Sequence, residues 1–145
     1  MIDLPSVKDL QAKIAAAEAA KASAALKTQA AEEEEKRALL DRLSKPSGLS
    51  DDEVMHKASI IINRAVENGQ MSVQIFRFPN HLCTDNGRAI NQAEEGWEKT
   101  LTGVPKEIFD FWQRQLKSRG YHIRYEIIDY PGGMPGDVGI ILSWA

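Results

Sequence analysis

The sequence has little that could staple or anchor it. Cys83 is the only cysteine in 145 residues, which excludes an internal disulfide and any multi-cysteine zinc site. No apolar run approaches the length required to cross a bilayer, and no membrane partner is expected. Met1-Ile2-Asp3-Leu4-Pro5 lacks the basic and apolar regions of a signal peptide, so the expected compartment is the cytoplasm. Basic residues are not in excess either: 18 Lys and Arg stand against 21 Asp and Glu, for a net charge of −3. Without a broad positive field to neutralise phosphates, nucleic acid is not an expected partner. The three histidines, His56, His81 and His122, show no metal-ligand spacing, so neither a metal nor a cofactor is expected.

Glycine and proline are missing altogether between Val7 and Leu43, where Ala, Glu, Lys, Leu and Gln dominate. These residues lose the least side-chain freedom in a helix. Ser6 with Asp9 three residues on supplies a start of capping-box type, and Lys45-Pro46-Ser47-Gly48 supplies the stop. The first 45 residues are therefore expected to form an extended helical arm, followed by a linker over 46–50 and a globular domain over 51–145. A heptad frame through Val7, Leu10, Ile14 and Ala17 begins well, then passes through Lys21 and Thr28 and decays. Sustained seams keep apolar a and d positions over three or four heptads, so the coiled-coil signal is incomplete.

Within the globular part, Ser50 and Glu53 form a capping box ahead of an apolar stripe through Val54, Ala58, Ile61, Ile62, Ala65 and Val66. Met71 to Phe78 predicts a strand, with Met71, Val73 and Ile75 on one face and Phe76 and Phe78 on the other. A second helix is expected from Pro105, burying Ile108, Phe109, Trp112 and Leu116 and closing at Gly120. Tyr121 to Tyr130 and Val138 to Trp144 alternate as strands do and predict an antiparallel hairpin with Pro131 to Asp137 at its tip. The sum is an α+β fold: a long N-terminal helix, then helix-strand-helix-strand-strand, with a three-stranded sheet and the helices on one face.

Two functional classes follow. One is a non-enzymatic protein-interaction module that associates with itself or docks on a protein partner through the N-terminal helix. Strand alternation places Phe76, Phe78, Tyr130 and Ile141 on the sheet face away from the helices. An exposed apolar patch of that kind marks a contact surface, and Met134 in the hairpin loop and Arg88 extend the candidate binding set. The other class is a small enzyme or ligand-binding domain using His81, Cys83, Asp85 and Arg88, because an imidazole beside a thiol favours thiolate. No cysteine-hydrolase signature accompanies that segment, and free cysteine is among the most buried residue types. Arg114, Lys117, Arg119, His122 and Arg124 could form a small positive cluster, of which Lys117 and Arg119 are explained without a ligand as charges completing the end of a helix.

Overall fold

A computed structural model describes residues 4–145; residues 1–3 of the expected arm lie outside it. The chain divides into two units, one ending at Leu39 and one running from Leu40 to Ala145.

Helix α1 runs unbroken over Val7–Ser44, a rise of about 57 Å at 1.5 Å per residue. Its start is the expected reciprocal cap: the Asp9 amide donates to Ser6 Oγ and the Ser6 amide donates back to the Asp9 carboxylate. Side chains from Leu4 to Ala38 are all exposed. The helix therefore rests on intrinsic propensity along this length rather than on burial of a face.

The second unit opens with the end of that helix. Leu43 is buried, and the chain then turns through 45–50 into α2, Asp51–Glu67. Ser50 caps α2 by accepting from the Glu53 amide at 3.2 Å, and its hydroxyl donates to the Glu53 carboxylate. Strand β1 (Ser72–Phe78) follows, then a short helix α3 (Arg88–Asn91), then α4 (Gly103–Phe111). Helix α4 does not end cleanly. It continues into a π-helical turn over Trp112–Leu116 and a single 3-10 turn over Lys117–Arg119, closed at Gly120. Strands β2 (His122–Ile127) and β3 (Val138–Ser143) complete the chain.

The sheet has the order β1-β3-β2 with both pairings antiparallel. Helices α2 and α4 cover one face. Ala58 and Ile62 of α2, Phe111 and Leu116 of the α4 segment and Leu142 of β3 form a buried cluster with Ile75, Trp112, Tyr121 and Ile123 packed against it. The α+β expectation and the one-sided helix layer agree with this arrangement.

The face assignment within β1 does not. Val73 pairs with Leu142 and Gln74 with Ile141, but the next pairing is Phe76 with Ile140, so one residue, Ile75, is inserted without a partner. A bulge of this kind breaks the two-residue alternation. Phe76 and Phe78 consequently share a face with Ile140, Val138 and Tyr125, the helix-covered face, and not the reverse one. Phe78 is 0 % exposed and meets Tyr125 edge-on at 6.0 Å between ring centroids.

The reverse face is accordingly polar. It carries Gln74 and Arg77 from β1, His122, Arg124 and Glu126 from β2, and only Ile141 as a large apolar residue from the body of β3. Ile141 is 6 % exposed, flanked in register by Gln74 and Arg124, whose aliphatic stems suit that position. The expected patch thus loses both phenylalanines and keeps Ile141 in a polar frame, with Ile128 beside Gly139 at its margin.

Candidate functional site

The segment His81 to Arg88 is used for structure at nearly every position. Cys83 bridges Leu101, with the Thr84 amide donating to the Thr100 carbonyl, and is 2 % exposed. Burial pushes its thiol up to about 11, opposed by a hydrogen bond with Thr100. A thiol so placed stays protonated at neutral pH and is a poor nucleophile. His81 points its Nδ1 to Asn86 Oδ1 at 3.3 Å and not to the thiol. Asp85 accepts from the Gly87 and Ala89 amides, capping α3. Arg88 is exposed at the head of that helix. The sequence proximity of these groups does not become a constellation.

The remaining candidates are dispersed. Tyr130 and Met134 are exposed at the hairpin end, where the Tyr130 hydroxyl donates to Asn91 Oδ1 at 2.9 Å. Arg77 ties the same end together, reaching Asp137 at 2.7 Å and Asp129 at 3.2 Å. Four residues of the anticipated positive cluster are committed elsewhere. Arg114 pairs with Asp51, Lys117 lies 5.6 Å from the centre of the Trp112 ring, Arg119 reaches Met55 Sδ, and Arg124 pairs with Glu126. Among the described residues, no three His, Cys, Asp or Glu side chains converge to hold a metal ion, and no helix is long and apolar enough to cross a membrane.

A site absent from the sequence reading lies between α2 and α4. The two helices stand apart over the sheet and leave a groove of about 590 Å³, within the size range of natural ligand clefts. Its floor is Ile75, Phe76, Ile123 and Leu142. Val54, Ala58 and Ile61 form the α2 wall, Val104, Ile108, Phe111 and Trp112 the α4 wall, and Pro46 to Leu49 close one end. Polar groups are confined to Ser47, Asp51, Lys57, Glu107, Asp110 and Arg114.

Several of these polar groups already hold the groove in shape. The Ser47 amide donates to both Glu107 carboxylate oxygens, at 3.1 and 3.3 Å, which fastens the linker to α4. Asp51, in the first turn of α2, receives Arg114 Nη2 at 2.9 Å and Gln115 Nε2 at 3.0 Å. These two donors hold its carboxyl below the usual carboxylate range, the Arg114 hydrogen bond contributing most. The π turn sits at this corner: Trp112 and Arg114, both within it, line the groove. Turns of this type inside helices recur at functional positions. Trp112 is fixed by donating its Nε1 proton to the Tyr121 carbonyl at 2.9 Å.

What this arrangement can do is remove water from an apolar guest beside a few charged side chains. The only sequence signal for it was that the stripes of both helices are wider than their buried lines require. Ile61 and Ile108 fall in those stripes yet remain half-buried. Compared with protein-family models, curated proteins and solved structures, the chain finds no match in any of the three.

Proposed function

We propose that this protein is an interaction module that associates with itself through its N-terminal helix. One observation carries the reading: Val7, Leu10 and Ile14 lie at helical spacing on one face of α1 and are 69, 45 and 59 % exposed. Apolar side chains spaced i, i+3 and i+7 on a solvated helix are the usual anchors of helix-mediated association. Ala17 continues the same line, after which Lys21 ends it. The alternative, chemistry at His81, Cys83, Asp85 and Arg88, is favoured by no observation, since the thiol is buried and protonated and the imidazole faces an amide.

Light scattering coupled to size exclusion tests the proposal on the full chain. A mass above that of one chain is expected, growing with protein concentration. The double variant Leu10→Glu, Ile14→Glu is expected at monomer mass with an unchanged thermal transition, because both side chains are solvent-exposed. A parent chain that stays monomeric at high concentration overturns the reading, as does a variant that associates like the parent.

A further inference from the structure

We propose that the receptor for the Val7, Leu10 and Ile14 stripe is the groove between α2 and α4 of a second copy of this chain. The inference rests on the self-association reading and goes further by naming both halves of the contact.

An arm-to-arm pairing leaves the stripe poorly matched. Beyond Ala17 its heptad continues through Lys21, Ala24 and Thr28, which cannot sustain the apolar seam of a long coiled coil. Three large anchors within about 10 Å of helix suit a receptor of similar length. The groove offers one, floored by Phe76 and Leu142 and walled by Ile61 and Ile108. The guest helix lies along the mouth of the groove and inserts its anchors between α2 and α4. Those two helices stay joined below by the Ala58, Ile62, Phe111 and Leu116 cluster and by Asp51 with Arg114. Helices in such contact pack at about 8–10 Å between axes.

Charge supports the same pairing. On α1 the 100° step per residue puts Lys13 on one flank of the stripe and Glu18 on the other. With Asp51 and Arg114 paired to each other and Glu107 holding the Ser47 amide, the charges left on the groove walls are Lys57 on α2 and Asp110 on α4. In one orientation of the guest helix Lys13 faces Asp110 and Glu18 faces Lys57; in the reversed one both contacts are repulsive. Complementarity of this kind selects direction and register.

Mixing two single variants of the full chain, Ile14→Cys and Ile108→Cys, under mild oxidation tests the contact. The native Cys83 does not compete, being 2 % exposed. A disulfide-linked heterodimer at twice the chain mass is expected from the mixture. If the parent associates but Ile14→Cys cross-links only to itself, the groove is not the receptor, and self-association through the arm still stands. If the parent is monomeric, both readings fall. As a second measurement, Asp110→Lys is expected to weaken association severalfold and Lys13→Glu in the same chain to restore it. Failure of that rescue, with both variants folded, overturns the proposed register.

Discussion

Gly103 packs against the last turn of α1 so closely that a β-carbon there would collide with the Leu43 carbonyl oxygen and lie 2.9 Å from Ser44 Cα. Its φ of +61° is also one that side-chain-bearing residues seldom adopt. Gly103→Ala is therefore expected to destabilise the second unit by about 2 kcal/mol or more, since strain and backbone collision act together. The urea midpoint measures it. A change below about 0.5 kcal/mol, typical of neutral surface changes, contradicts the close approach.

Burial separates the two phenylalanines that follow the bulge in β1 and share its helix-covered face. Phe78, fully buried against Tyr125, is expected to cost about 3–5 kcal/mol on replacement by alanine. Phe76, half-buried on the groove floor, should cost clearly less. Equilibrium unfolding of the two variants checks the order. Equal costs would contradict the difference in burial between them.

Cys83 should behave as a packed hydrophobe. Alkylation at neutral pH is expected to be slow and to track unfolding. The folded thiol titrates near 11 against about 8.5 for a free one. Its contribution to stability is complete below the lower value. As pH rises between the two, the unfolded chain ionises first and stability falls. The parent should show this alkaline loss in its denaturant midpoint and Cys83→Ala should lack it. An identical pH profile for both proteins counts against burial as the cause.

Asp51 gives the opposite slope. Its folded pKa lies below the unfolded value of about 3.9, so its support for the corner with Arg114 is present at neutral pH. That support is lost as pH falls through the depressed folded value. The stability gap between the parent and Asp51→Asn should be open at pH 6 and close in strong acid. Since the pair is partly exposed, the gap should also narrow with added salt. A gap that widens in acid is the result that rejects this account.

Those parts of the fold governed by neighbours in sequence were legible. The Ser6–Asp9 and Ser50–Glu53 caps, the end at Gly120 and the alternation of β2 and β3 all depend on groups a few residues apart. The candidate site was not legible, for two physical reasons. How far α2 stands from α4 is set by the linker bond to Glu107 and by the Asp51–Arg114 corner, contacts that join residues about sixty positions apart. The face of Phe76 and Phe78 turned on one unpartnered residue, and its only trace in the sequence is that Ile75 and Phe76 are adjacent and both apolar.

That inserted residue has a bearing on solubility as well as on packing. With β3 in the centre, β1 presents an open margin, and an uninterrupted margin invites a foreign strand to zip alongside. The kink at Ile75 puts the amide and carbonyl rungs out of step midway along it. On the opposite border, β2 sets His122, Arg124 and Glu126 beside its rungs. Both sides of the ribbon thus discourage fibril-like extension.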